Sequence, residues 1–208
     1  EKIILIENIL PEEFVKKQAN EFLVDKEMNA KGIKILSIGR FCKAKNFDNV
    51  PEICQRIRER GMDITWYLIG FGRDEELIKR KIAEANMQEY VKILGKKENP
   101  YPYIKNADLF VCSSLNEGYN LAISEAVILG VPVISTDCSG IKENLGNGKW
   151  GYIVENRKEA LYHAISRCFD EPGFLEELKK KSEAGSIQDT YEGRLKKIES
   201  IIEGVVNR

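Results

Sequence analysis

Two glutamates and two cations are the residues whose types and spacing could do chemistry. Glu117 and Glu125 lie eight positions apart in the run Ser113-Ser114-Leu115-Asn116-Glu117-Gly118-Tyr119-Asn120-Leu121-Ala122-Ile123-Ser124-Glu125-Ala126. At about 3.6 residues per turn, that spacing puts both carboxylates on neighbouring faces of a helix. Arg40 and Lys45 lie in a second run, Gly39-Arg40-Phe41-Cys42-Lys43-Ala44-Lys45-Asn46. Arg offers a planar fork to paired oxygens and Lys a mobile point charge, which together suit a diphosphate. Carboxylates beside a diphosphate are unfavourable unless they accept hydrogen bonds from sugar hydroxyls, and that is the role we infer for them. On spacing alone the blander readings stay open. Loop cations are usually solvated, and the glutamates could cap a helix and sit on its wet face.

The elements that must position these residues follow from hydrophobic patterning. Short apolar runs at Ile33–Ile38, Ile64–Ile69, Val91–Leu94, Leu109–Cys112, Val131–Ile134 and Tyr152–Val154 read as buried strands. Helical stretches lie between them at Asn46–Glu59, Asp74–Ala85, Tyr101–Lys105, Tyr119–Leu129 and Gly140–Leu145. That alternation predicts an α/β domain, a Rossmann-like parallel sheet with helices on both faces. Residues 157–208 then read as three helices over 157–170, 173–185 and 188–205, with breaks at Pro172–Gly173 and Gly185–Ser186. The expected organisation is therefore a polar, partly helical linker over 1–30, a core over 31–156, and a helical C-terminal tail packing on that core. Lys2–Ile6 reads as a strand with no local partner, and together with the initial Glu it suggests a fragment of a longer protein.

Ligands of such sheets bind where strand C-termini enter helices. Both charged runs fall at such points. The N–H groups of Tyr119, Asn120 and Leu121 would be unpaired at a helix start and offer an anion site, with Gly118 clearing the approach.

Composition narrows the classes. With 43% apolar and 31% charged residues the chain is globular, and 32 basic against 33 acidic side chains give no reason to expect nucleic acid. The five cysteines form no Cys-x-x-Cys pair, so neither a zinc site nor a disulfide framework is indicated. Cys112 sits in an apolar run and reads as core. The single histidine, His163, excludes a histidine triad or multi-histidine metal site. Gly39-Arg40-Phe41 does not supply the Gly-x-Gly-x-x-Gly of a dinucleotide oxidoreductase, and no P-loop is present.

Taken together these runs resemble a family, the retaining glycosyltransferases of GT-B fold (family 4, group 1). The family pattern E-G-F-G-L-x-x-x-E-A, G-x-P-V-I-x-T and G-G-x-x-E appears here as E-G-Y-N-L-A-I-S-E-A, G-V-P-V-I-S-T and S-G-I-K-E. The family's G-R-x-x-x-x-K is Gly39, Arg40 and Lys45, and its G-x-G turn is Gly70-Phe71-Gly72. The resemblance runs from about residue 30 to 155 and implies one half of a GT-B fold, the C-terminal donor-binding domain. It implies that Arg40 and Lys45 contact the donor diphosphate with the N–H groups near Tyr119–Leu121. Glu117 would meet the transferred sugar and Glu125 the nucleotide ribose. Gly70, Gly72, Ile93 and Leu94 would lie near the base or sugar.

The implied donor is a UDP-sugar or GDP-sugar, with no cofactor and no required metal, since no Asp-x-Asp occurs. The implied acceptor is a glycan or glycolipid, held by an N-terminal domain this chain lacks, in cell-surface polysaccharide synthesis. The expected location is cytoplasmic, with peripheral contact at the inner membrane face through the full-length protein. We expect the fragment to bind donor weakly and to be inactive alone. One departure is Asn120, where the family has its second glycine. The rival readings are a nucleotide-sugar epimerase of GT-B-like architecture and a non-catalytic nucleotide-binding module.

Overall fold

Brevity and β-branched content make six runs into strands: β1 (Ile33–Ile38), β2 (Ile64–Ile69), β3 (Val91–Gly95), β4 (Leu109–Cys112), β5 (Val133–Thr136) and β6 (Tyr152–Val154). The computed structural model describes residues 10–188 apart from 25, together with 193, 195, 196 and 198–200. The strands form one sheet in the order β3-β2-β1-β4-β5-β6, every pairing parallel. The chain builds outward from β1 to β3, then returns to β4 on the other side of β1. The loops after β1 and β4 therefore meet at a topological switch point, where such sheets leave a crevice.

Alternation along each strand feeds two apolar layers. Ile35, Trp66 and Leu68 face one side, against Ile53 and Ile57 of α2 (Val50–Glu59), Ile78 and Ile82 of α3 (Glu75–Glu84), and Leu161 and Ile165 of α7 (Lys158–Asp170). Leu36, Tyr67 and Ile69 face the other, where Tyr103 and Ile104 of α4 (Tyr101–Lys105) pack with Ile123 and Val127 of α5 (Leu121–Ile128) and Ile141 of α6 (Ile141–Asn144). In α2 the buried set Val50, Ile53, Cys54 and Ile57 recurs at helical spacing, leaving Glu52, Arg56 and Glu59 off the core stripe. A short helix, α1 (Glu12–Gln18), packs on α4 and α5.

Among the boundaries that differ from expectation, two have a clear physical cause. The fifth strand begins at Val133, not Val131, because Gly130 turns at φ +69° and the Val131 N–H returns to the Ala126 carbonyl. Helix α8 runs unbroken over Phe174–Gln188, through the expected break at Gly185–Ser186. A Cβ on Gly185 would lie 2.6 Å from Trp150 Cγ, and Ser186 Oγ donates to the Ile128 carbonyl at 3.0 Å. These residues let the helix approach its neighbours closely and do not end it. The strand expected over Lys2–Ile6 lies outside the described residues. So does part of the last expected helix, whose described positions 193, 195, 196 and 198–200 are helical. Among the described residues no helix is long and apolar enough to cross a membrane.

A polar bridge crosses the middle of the sheet. Ser37 of β1 donates to the Val111 carbonyl of β4 at 2.6 Å and accepts from Trp66 Nε1 of β2 at 3.0 Å. Both side chains are fully buried. Ser37→Ala leaves the indole N–H unpaired in the core and should cost about 1–3 kcal/mol in urea unfolding. A variant within 0.5 kcal/mol of wild type would contradict that account.

Candidate functional site

The C-terminal edge of the sheet is assembled by close backbone contacts. Gly39 N–H donates to the Ile69 carbonyl at 3.0 Å, Phe41 N–H to Phe71 at 2.8 Å, and Gly70 N–H to Gly95 at 3.0 Å. A Cβ on Gly70 would overlap the Gly39 carbonyl, and one on Gly72 the Phe41 carbonyl. Both glycines, expected near base or sugar, thus have their residue type explained by loop packing. Gly140 at φ +81° plays the same part across the crevice, where a Cβ would overlap the Gly118 carbonyl. Gly118 itself faces open space.

Within this frame Lys45 and Glu117 form an ion pair from loops 72 residues apart. Gly39 makes room for it, since a Cβ there would press on the Lys45 stem at 3.0 Å. The Glu117 Oε1 atom also accepts from Ser114 Oγ at 2.6 Å and from Asn120 Nδ2 at 3.2 Å. Three donors therefore converge on one carboxylate oxygen, and Oε2 takes none of these bonds. The loop beneath is tied down by Ser113 Oγ to the Lys45 carbonyl at 2.8 Å, Leu115 N–H to the Ala44 carbonyl at 2.8 Å, and Thr136 Oγ1 to the Ser114 carbonyl at 2.7 Å. Arg40 stands nearby in sequence, exposed and in none of the ion pairs among the described residues.

The start of α5 differs from expectation. The helix begins at Leu121, with Asn120 as its N-cap, and the Asn120 side-chain oxygen accepts from the N–H of Ala122 at 3.1 Å and Ile123 at 3.4 Å. The Asn120 N–H, expected free for an anion, donates instead to Asn144 Oδ1 at 3.0 Å. The anion site at this helix start is correspondingly smaller than the sequence suggested, while Leu121 lies exposed beside it. Asn120 is itself only 6% exposed, and its polar atoms are engaged within the protein. Tyr119 bonds internally, its hydroxyl accepting from Ser124 Oγ at 3.1 Å.

Glu125 is held apart from the Lys45–Glu117 cluster. Burial pushes its carboxyl up to about 7, against a hydrogen bond with Tyr101 of α4 that opposes the shift. Tyr101 stacks edge-on with Phe14 of α1 at 6.3 Å between ring centres. Ile93 and Leu94 lie half-buried on the edge strand β3, pack into opposite apolar layers, and line a cleft of about 550 Å³ with Tyr67 and Lys26. No hydrogen bond places them with Glu117.

Sequence reasoning missed Ser114, Cys112, Tyr101 and Asn144. Ser114 had a usable signal, three residues before Glu117 and on the same strand-to-helix loop. Asn144 had only a weak one, as the neighbour of Glu143 in the S-G-I-K-E phrase; α6 turns Asn144 inward and leaves Glu143 exposed. Cys112 is core, as expected, and touches the site through its sulfur, 3.4 Å from Asn120 Nδ2. Burial pushes the thiols of Cys54, Cys138 and Cys168 up to about 12, so they are protonated and poor nucleophiles at neutral pH.

The chain resembles known proteins in both sequence and fold. The family described as "Glycosyl transferases group 1" matches residues 16–185. The amylovoran biosynthesis glycosyltransferase AmsK of Erwinia amylovora is 31% identical over 144 residues, 65% of this chain and 35% of that protein. A Campylobacter jejuni enzyme, the N-acetylgalactosamine-N,N'-diacetylbacillosaminyl-diphospho-undecaprenol 4-alpha-N-acetylgalactosaminyltransferase, is 27% identical over 71% of this chain and 40% of its own. The chain thus spans little more than a third of the length of these relatives. Among solved structures, Anabaena HepE in complex with UDP and glucose superposes with TM-score 0.81 at 16% identity, over 96% of this chain and 56% of that one. The likeness establishes the fold, one Rossmann-like half of a GT-B architecture.

The raised Glu125 carboxyl makes a signed prediction. Between about pH 4.5 and 7 the folded chain keeps a proton that the unfolded chain has lost, so this group's contribution to stability falls as pH rises through that window and is level above it. Glu125→Gln should flatten that portion of the stability–pH curve in denaturant unfolding. An unchanged slope would show that Glu125 titrates normally.

Proposed function

The chain belongs to the group 1 glycosyltransferases, and from that premise we propose that it is the C-terminal, donor-binding domain of a retaining enzyme. The donor is a UDP-sugar or GDP-sugar, and the acceptor a glycan or glycolipid held by an N-terminal domain. The observation that carries this reading is the Lys45–Glu117 pair at the switch point, with Oε1 bound by three donors and Oε2 left for a ligand. HepE in complex with UDP and glucose, and the pneumococcal transferase GtfA in complex with UDP and GlcNAc, support the same class of donor.

Each residue then has a physical task. Arg40 and Lys45 meet the diphosphate, whose negative charge grows as the bond to the sugar breaks. Fixed cations stabilise that charge most as it develops. Lys45 must loosen from Glu117 to do so, and the Leu121 N–H at the start of α5 adds a weaker contribution. Glu117 accepts a hydroxyl of the transferred sugar through Oε2. Glu125 accepts ribose hydroxyls, a role that favours its ionised form. Gly118 leaves the approach unobstructed, and Gly70, Gly72, Ile93 and Leu94 border the base side. Retention follows if the leaving phosphate accepts the acceptor's proton on the face it departs from. Arg40, Lys45 and the helix start replace the charge that a divalent ion would otherwise supply, so the scheme needs no metal. We place the enzyme in the cytoplasm, reaching the inner membrane face through its full-length form, and expect this chain alone to bind donor weakly without turnover.

The test is a thermal-shift screen against UDP, GDP, ADP and CMP with NAD as control. Stabilisation by UDP or GDP is expected, worth about 2.7 kcal/mol at a hundredfold excess over Kd. A shift with NAD alone would overturn the reading. With the responding nucleotide, Lys45→Ala should weaken the diphosphate far more than the bare nucleoside, and equal losses would remove Lys45 from the phosphate site. Glu125→Ala should weaken diphosphate and nucleoside alike by about 1–3 kcal/mol. Loss confined to the diphosphate would refute the ribose role.

A further inference from the structure

We infer that Asn120 is a positioning residue for Glu117, whose carboxylate its side-chain amide keeps aimed when a ligand draws Lys45 away. The inference rests on the donor-site reading for its consequence, but not for the geometry that motivates it.

The Glu117 Oε1 atom has one charged partner, Lys45, and two neutral ones, Ser114 Oγ at 2.6 Å and Asn120 Nδ2 at 3.2 Å. A diphosphate competes for the charged partner and leaves the neutral ones in place. Without them the carboxylate would swing free at the moment it is needed, because an unpaired Glu side chain keeps several rotamers. With them, Oε1 stays occupied and Oε2 keeps its direction.

Asn120 is built to do this. Its Oδ1 is fixed by two backbone donors, Ala122 N–H at 3.1 Å and Ile123 N–H at 3.4 Å. Flipping the amide would turn its NH2 against those N–H groups, so only one orientation satisfies the cap. The amide nitrogen must then point toward Glu117 and the Cys112 sulfur, 3.4 Å away. The backbone is clamped too. Asn144 accepts from the Asn120 N–H at 3.0 Å and donates to the Asn120 carbonyl at 3.1 Å, while its Nδ2 also donates to Ser124 Oγ at 2.8 Å. At 6% exposure Asn120 cannot reach a ligand easily, so its action runs through Glu117. In the family pattern this position is glycine, which carries no side chain and offers no such donor.

Two measurements on the full 208-residue chain test the inference. The first needs no ligand. The side-chain NH2 signal of Asn120 in a 1H–15N spectrum should shift in Glu117→Gln, and an unmoved signal would overturn the contact. The second compares the affinities of UDP, UDP-glucose and UDP-N-acetylglucosamine for wild type, Asn120→Ser and Asn120→Asp. Both variants keep a capping oxygen and lose the amide donor. For the sugar nucleotide that binds tighter than UDP, Asn120→Ser should cut the preference over UDP at least fivefold, with UDP affinity within twofold of wild type and the melting temperature little changed. Asn120→Asp, which sets an anion beside Glu117, should abolish it. A preference intact in Asn120→Ser would reduce Asn120 to a helix cap and overturn the inference. If wild type binds none of the three, the UDP-donor reading fails instead, and the NMR shift alone decides whether Asn120 holds Glu117.

Discussion

The ion pair between Lys45 and Glu117 ties together two loops that the chain builds 72 residues apart. Its side chains are 19% and 10% exposed, so neither charge is fully hydrated. A partly buried pair of this kind is costly to break from one side, because the partner is left as an unpaired charge. That constraint accounts for much around it. Gly39 makes room for the lysine stem, Ser114 and Asn120 satisfy the carboxylate, and Ser113 and Leu115 anchor the two loops to each other. The crevice at the switch point is therefore a pre-assembled polar cluster.

The polar network extends inward through asparagine. Asn120 and Asn144 bond each other's main chain and side chain, and Asn144 goes on to Ser124. Buried amides are tolerated only when their donors and acceptors are met, and once met they hold a single arrangement. Here they fix the start of α5 and the height of the Glu117 loop together. Gly140 completes the arrangement by letting α6 approach the Gly118 carbonyl.

Glu125 belongs to a different environment. Burial raises its carboxyl to about 7, with Tyr101 as its partner and α1 packed beside α5. The two glutamates, one turn-start and one mid-helix, are thus electrostatically unlike: one ion-paired, the other close to its titration point.

Sequence alone determined the order of strands and helices along the chain, the parallel α/β class and the loops that hold the candidate site. Those features rest on hydrophobic period and strand brevity, which are local and survive without knowledge of partners. The placement of Lys45 and Glu117 at the sheet's C-terminal edge was legible for the same reason. The tertiary structure decided what each polar atom does. Gly185 reads as a helix breaker until Trp150 is seen against it, and Asn120 reads as a ligand contact until Asn144, 24 residues on, takes its N–H. The charge state of Glu125 likewise depends on burial beneath elements distant in sequence, with Tyr101 of α4 beside it, which no spacing encodes. Hydrogen-bond partners and burial are set by strand order across long sequence separations, so they appear only once the sheet has brought the loops together.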